Sequence, residues 1–416
     1  MIENIYLYVQ DIFQNPKYQT NFKKNIETFD KIIKGTIRLP STDLNDVECF
    51  EYIRVQHNNL LGPYKGGLRF SENVSENECK GLALLMTLKS ALFGIPYGGA
   101  KGCIRLNPSS FIPSQMKTIC ELFVQEMKEN IGPYRDIPAP DIGVTSQYMD
   151  WMAKRYADFY PNQFTLGSFT GKSLEYHGSL CREFATGLGI AYSILLWYDN
   201  VFDDISDNKT FILQGFGNVG KWTYHYLTKD LKMKCIGIGD ATRYFSCHGL
   251  SFDDLKQFVN SNNNCLNNLH VEYPDNCQPI SQDEFWAIPT DIVIPAATEL
   301  QINSERLSTM DCRMIVEGAN APCFFEIDQL AQERNIEIIP DIFANAGGVL
   351  VSYIEWVQNL NGYPWSSKRT KDTLFELYKN TMVAFMRRRQ SDPERTNRQI
   401  MYDNALCVLQ NRFLRT

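Results

Sequence analysis

Histidine is scarce in this chain, and its cysteines form no recognisable pairs. The five histidines, His57, His177, His225, His248 and His270, are dispersed over 416 residues, and the twelve cysteines include no C-x-x-C pair. Neither type recurs at metal-ligand spacing, so no structural zinc is expected, and reduced thiols in a cytosol-like compartment are. Clustered lysine and arginine are also missing. With a formal net charge of −7 the chain offers no basic face to nucleic acid, which leaves small molecules or proteins as partners. No apolar run approaches the roughly 18–20 residues that span a bilayer. The opening MIENIYLYVQDIFQNPKYQ lacks the cationic start and sustained apolar core of an export signal, so a cytoplasmic protein is expected. Internal repeats and low-complexity tracts are absent as well. The asparagine-rich NSNNNCLNN at 260–268 reads as a surface loop.

What is present is the composition of a folded protein. At 44% hydrophobic and 21% charged residues the chain can bury a core, and its length suits two domains better than one. From residue 1 to about 60, an amphipathic pattern in NFKKNIETFDKIIK predicts helix and CFEYIRVQ predicts strand. In SENECKGLALLMTLKSALFG, Ser75 and Glu78 have capping-box spacing ahead of Leu82, Leu85, Met86 and Leu92. Lys89 falls on or beside that apolar face, where the alternative reading is a snorkelling lysine.

Near residue 200 the pattern changes. After the polar YDNVFDDISDNK come TFILQ, KCIGIGD, DIVIPAA, MIVEGAN and IEIIPD, apolar strand-like runs separated by amphipathic or polar stretches. That alternation predicts a parallel sheet covered on both faces, a doubly wound domain. From 346 onward helix returns. The expected division is 1–190, 191–345 for the doubly wound domain, and 346–416 as helices packing back on the first domain.

Three glycine-rich segments carry the chemistry. Gly215-Phe216-Gly217-Asn218-Val219-Gly220 follows a predicted strand and opens a predicted helix. There the glycines would serve a tight turn, close approach to a pyrophosphate and helix–strand packing, with the phosphates at the helix N-terminus. Asp240, ending the next strand 20 residues later, would accept from a ribose 2′-hydroxyl and repel a 2′-phosphate, while Arg243 would do the reverse. NAD is therefore expected, with NADP as the alternative. The other two segments, GPYKGGLRF and PYGGAKG, each set a lysine among glycines, Lys65 and Lys101. With Lys89 and the proline-stiffened Asp141 of RDIPAPDIGV they suggest a cavity in which like charges and burial depress at least one lysine pKa. Such a lysine can act as a base. Lysines that stay charged would clamp carboxylates, which suggests an anionic substrate.

The segments RVQHNNLLGPYKGGLRF, LLMTLKSALFGIPYGGAKG, DIPAPDIGV, REFATGLG, GFGNVG, IPAATELQI, VEGANAP and PDIFANAGGVLVSYIEWVQN resemble, in order, the glutamate/leucine/phenylalanine/valine dehydrogenases, and they run from about residue 52 to 363. The resemblance implies an α/β fold: an N-terminal α/β substrate domain and a doubly wound Rossmann-type domain with a cleft between them. It implies NAD(P)-dependent oxidative deamination of an L-amino acid, no metal, and a homohexamer in the glutamate branch. It assigns Lys101 and Asp141 to catalysis, Lys89 to the α-carboxylate, and Lys65 with Ser352 to a side-chain carboxylate. Ala139, Arg182, Asn345 and Val349 complete the substrate set it implies. Thr186, Gly215, Gly217, Asn218, Val219, Gly220, Asp240, Ala296, Ala297 and Asn320 form the cofactor set. Because relatives acting on apolar amino acids generally lack matches to Lys65 and Ser352, L-glutamate, 2-oxoglutarate and ammonia are the expected substrates. The alternatives are an apolar L-amino acid, or a catalytically silent ligand-binding homologue. Cys103, His177 and Cys181 depart from the family's usual glycines and raise the question of how those positions are accommodated.

Overall fold

A computed structural model describes residues 2–40, 47–202 and 209–415. Half of the polar linker read at 198–209, residues 203–208, lies outside the described residues. The chain divides into two compact units, one built from Ile2–Arg182, Val349–Asp372 and the residues from Asn404 on, the other from Glu183–Gly348 and Thr373–Asp403.

The first unit is organised on a five-stranded sheet made of β1 (Lys31–Pro40), β2 (Val47–Asn58), β3 (Tyr64–Phe70), β4 (Gly99–Ile104) and β5 (Asp136–Pro140), in the order β1-β2-β4-β3-β5. β3 runs parallel to both β4 and β5, whereas β1, β2 and β4 pair antiparallel. One face packs Ile37, Leu39, Tyr52, Leu68, Phe70 and Ile104 against Met116, Ile119, Phe123 and Met149 of the helices Pro113–Met127 and Ser146–Phe159. The other packs Ile53, Val55 and Cys103 on Cys79 and Ala83 of the helix Glu76–Leu92. Two expectations change here. The amphipathic segment through Lys34 is helical only over Thr20–Glu27, because Lys31–Pro40 pairs in ten-residue register with β2. The helix Glu76–Leu92 is buried nearly all round rather than along one stripe, so Lys89, 5% exposed, does not snorkel to water. Ser75 caps that helix by accepting from the Glu78 N–H at 3.0 Å. The Glu78 carboxylate is engaged by Arg69.

The second unit has a seven-stranded sheet, in which β6 (Thr210–Gln214), β7 (Lys234–Gly239), β10 (Ile292–Pro295), β11 (Met314–Val316) and β12 (Glu337–Ile339) form a parallel core. Two further strands, β8 (Tyr244–Cys247) and β9 (Cys277–Ile280), continue it as an antiparallel extension, giving the order β12-β11-β10-β6-β7-β8-β9. Both faces are covered, as unbroken apolar strands require. Ile212 and Val293 face Phe285, Leu307 and Ile327, while Phe211 points the other way onto Tyr224 of the helix Asn218–Lys229.

The tail divides differently from the expected 346–416 block. Val349–Asp372 belongs with the first unit, through Glu355 bonding Lys172 and Trp356 donating to the Pro133 carbonyl at 2.9 Å. Thr373–Asp403 belongs with the second. There Tyr378 reaches the Ala344 carbonyl, Phe385 packs on Trp197, and Arg398 enters a buried carboxylate cluster. Among the described residues no helix is long and apolar enough to cross a membrane.

Candidate active site

In the first unit Lys65, Lys101 and Asp141 sit on or directly after neighbouring strands, because β3 lies between β4 and β5 and runs parallel to both. Lys65 and Gly67 on β3 lie opposite Ile137 and Ala139 on β5, and Asp141 follows that strand directly. Lys101 on β4 forms an ion pair with Asp141. A Cβ on Gly67 would stand 2.8 Å from Asp141 Oδ2 and 3.2 Å from Lys101 Nζ, so the glycine leaves room for the pair. Gly66 has another purpose. A Cβ there would overlap the Ala100 carbonyl at 1.5 Å, so it permits strand-to-strand approach inside a sheet. The lysine-bearing segment is thus a strand and not the open ligand loop that its glycines suggest.

Burial shapes the electrostatics. Desolvation, then the nearby Arg69 guanidinium, with Lys89 and Arg54 adding to it, pushes Lys101 down to about 7. Its amine therefore passes between charged and neutral forms near neutrality. Lys65, 1% exposed, is held well below its ordinary value by desolvation, Arg182 and Arg54, with Glu355 and Asp136 pulling the other way. Both carboxylates are committed elsewhere. Asp136 is bonded by Arg54 and Gln56, each at 2.9 Å, and Glu355 accepts from Lys172 Nζ at 2.9 Å and Gly171 N–H at 2.7 Å. Among the described residues no carboxylate lies within ion-pair distance of Lys65 or Arg182, and the Arg182 Nε is buried without a hydrogen-bond partner. Two neighbouring basic groups with no carboxylate within ion-pair distance can be matched by an incoming anion. Ser352, buried one turn before Glu355 on the helix Gly347–Asn361, and Val349 lie on the same element.

In the second unit two of the fingerprint glycines meet local steric demands and the third faces open space. Gly215 has φ +97°, and a Cβ there would lie 2.7 Å from the Ala296 carbonyl, close to Ala297. A Cβ on Gly220 would meet the Gly215 carbonyl at 1.8 Å, which ties helix to strand. Around Gly217 nothing stands within 4 Å of that position. This is the gap a pyrophosphate needs, next to the backbone N–H groups of Asn218 and Val219 at the helix start, so these residues fit a dinucleotide. Thr186 begins the adjoining helix Ala185–Trp197, whose N-terminus is held by Asn218 Nδ2 donating to the Glu183 carbonyl at 2.8 Å. Asn345 Nδ2 donates to the Ala319 carbonyl at 2.9 Å and, more weakly, to Asn320 Oδ1, which fixes the orientation of its amide and couples it to the Asn320 loop.

Asp240 is more occupied than a ribose-binding role suggests. Its carboxylate accepts from the N–H groups of Thr242, Arg243 and Leu266 at 2.7, 3.2 and 2.6 Å, closing the turn and pinning the 260–268 loop. The departures have local explanations. His177 sits at φ +63°, the left-handed conformation that favours glycine, and its carbonyl accepts from Asn359 Nδ2. Cys103 is buried beside Cys79, and Cys181 lies 3.5 Å from Ser367 Oγ.

Several polar residues escaped sequence reasoning. Arg54 with Asp136, Lys172 with Glu355, and Arg69 with Asp141 and Glu78 all support the lysine site. Arg398, 2% exposed, is bonded by Glu317 and Asp328 beneath the Asn320 loop. A usable signal existed for two of them, a lone charge inside an apolar run, as in YIRV and YIEWV.

A model described as Glutamate/Leucine/Phenylalanine/Valine dehydrogenase matches residues 178–412, and one described as the Glu/Leu/Phe/Val dehydrogenase dimerisation domain matches residues 32–158. The NAD-specific glutamate dehydrogenase of Clostridioides difficile is 37% identical over 347 residues, 82% of this chain and 80% of that protein. The NADP-specific glutamate dehydrogenase of Saccharolobus shibatae is 34% identical over 369 residues, covering 88% and 85%. The crystal structure of glutamate dehydrogenase from Peptoniphilus asaccharolyticus superposes with a TM-score of 0.84 at 28% identity, covering 100% of this chain and 99% of that one.

Proposed function

The chain belongs to the glutamate/leucine/phenylalanine/valine dehydrogenase family, and we infer that within it the protein interconverts L-glutamate with 2-oxoglutarate and ammonia, using NAD or NADP. The nicotinamide cofactor supplies the hydride acceptor or donor, and Gly215, Gly217, Asn218, Val219 and Gly220 would hold its pyrophosphate. All other steps fall to side chains of this chain. Lys65 and Arg182, with Ser352, neutralise the side-chain carboxylate, and Lys89 takes the α-carboxylate. Once Cα is oxidised, neutral Lys101 activates the water that attacks the imine carbon. Asp141, ion-paired to Lys101, then moves protons to the departing ammonia.

The observation that carries the glutamate reading is the buried Lys65–Arg182 pair without a counter-ion. A site for an apolar side chain would leave two cations in a dry pocket unmatched. The free thiols of all twelve cysteines suit a cytoplasmic setting, and the match to a dimerisation domain supports self-association, as a homohexamer by family resemblance. The test is initial rates of NADH and NADPH oxidation with ammonium and 2-oxoglutarate, against 2-oxoisocaproate. The expected result is a kcat/KM for 2-oxoglutarate at least about a hundredfold higher, the scale of one unmatched carboxylate. Preference for 2-oxoisocaproate would move the protein to the apolar branch, and no turnover with either would favour a silent homologue.

A further inference from the structure

Arg69 has no part in the mechanism so far, yet it touches two of its supports. From β3 its Nε and one terminal nitrogen donate to Asp141 Oδ1, each at 3.4 Å, and its other terminal nitrogen pairs with Glu78. Asp141 Oδ1 also accepts from the Ile142 N–H at 2.6 Å, which leaves Oδ2 for Lys101. The catalytic carboxylate is thereby divided, one oxygen held by arginine and backbone, the other by the lysine. Glu78 lies in the first turn of the helix that carries Lys89, so Arg69 links that helix to the catalytic pair.

We propose that Arg69 is a positioning residue that sets the pH at which Lys101 becomes a competent base, by drawing the charge of Asp141 toward Oδ1 and by opposing the lysine's own positive charge. The inference rests on the reading of Lys101 as the base. The groups facing Lys101 are Asp141 and Arg69 from the strand ends, Lys89 and Cys79 from the helix, and Arg54 from β2. Arg69 is the strongest charge opposing protonation, and Glu78 partly neutralises it from the side away from Asp141 Oδ1.

The two partners therefore predict opposite effects. Arg69→Gln removes the repelling charge, so the acid limb of kcat for glutamate oxidation should move to higher pH, by about one unit. Arg69→Lys should restore most of the wild-type profile. Glu78→Gln leaves Arg69 fully charged beside the pair and should move the limb to lower pH. Where turnover is too weak to profile, reductive methylation of Lys101 by formaldehyde and cyanoborohydride, read by peptide mass spectrometry across pH, reports the same ionisation. Opposite displacements for Arg69→Gln and Glu78→Gln support the proposal. A uniform fall in kcat with unmoved profiles and unmoved labelling would reduce Arg69 to a packing role and overturn it. Failure of the wild-type protein to oxidise glutamate would instead remove the functional reading, while the labelling curves would still judge Arg69.

Discussion

As proposed anion sites, the lysine cluster and the glycine turn are built in opposite ways. In the first unit the anion receptor is built from buried charge: Lys65 beside Arg182, with Arg54, Asp136, Lys172 and Glu355 holding the surroundings neutral enough to fold. In the second unit it is built from absent side chains, with Gly217 leaving open space before a helix start and nothing among the described residues within 4 Å of where its Cβ would stand. A buried cation fixes where a small carboxylate must sit, since leaving it unmatched is expensive. Backbone N–H groups hold a phosphate without demanding one particular neighbour. Selectivity for substrate should therefore be far more sensitive to single side chains than nucleotide binding is.

The sharpest way to break that contrast is to remove charge recognition alone. Lys65→Leu with Ser352→Val should lower kcat/KM on glutamate by roughly two to four orders of magnitude, the equivalent of about 3–5 kcal/mol, and give measurable oxidation of leucine or norleucine. Steady-state kinetics on both substrates would show it, and glutamate activity kept within about threefold would refute the role of Lys65. On the other side, Gly220→Ala forces the helix Asn218–Lys229 off the Gly215 carbonyl. Overpacking of about 1–3 kcal/mol should weaken NADH binding by roughly 5- to 150-fold while leaving the labelling profile of Lys101 unchanged. Fluorescence titration measures the first and mass spectrometry the second.

The two lysines should also part company on pH. With Lys101 acting as the neutral amine, as proposed, kcat for glutamate oxidation should rise as pH passes about 7. Lys65 must carry a proton to bind a carboxylate although burial holds it well below its ordinary value, so the KM for 2-oxoglutarate should rise with pH. A flat KM across pH 6–8 would mean that Lys65 is already protonated in the free protein. The smallest effect is expected at Asp240. Its oxygens already serve three backbone N–H groups, so Asp240→Ala should change the NADH to NADPH ratio of kcat/KM by less than about tenfold, near 1 kcal/mol.

The same contrast explains what could be read from the chain. The fingerprint turn was legible because its three glycines, strand and helix are contiguous, and Gly215 and Gly220 answer to local steric demands while Gly217 leaves open space. Lys65, Lys89, Lys101 and Asp141 were legible as residues, but the order of strands that gathers them was not. Arg54, Lys172 and Glu355 were missed because a buried ion pair joins positions as far apart as 172 and 355 and leaves no periodic trace. The tail was misplaced for a similar reason. Helical periodicity predicts helices after 346, but Arg398 reaches its carboxylates at 317 and 328 through tertiary contacts alone. Residues 31–40 show the converse, where pairing with β2 overrides a helix-like pattern.

The central claim is that chemistry belongs to the lysine unit and nucleotide binding to the other. Lys101→Ala tests it in one preparation, by measuring glutamate turnover and NADH affinity together. Turnover should fall by about 10²–10⁴ while the Kd for NADH stays within about threefold of wild type. A variant that keeps more than half its turnover, or that loses NADH binding along with activity, would contradict it.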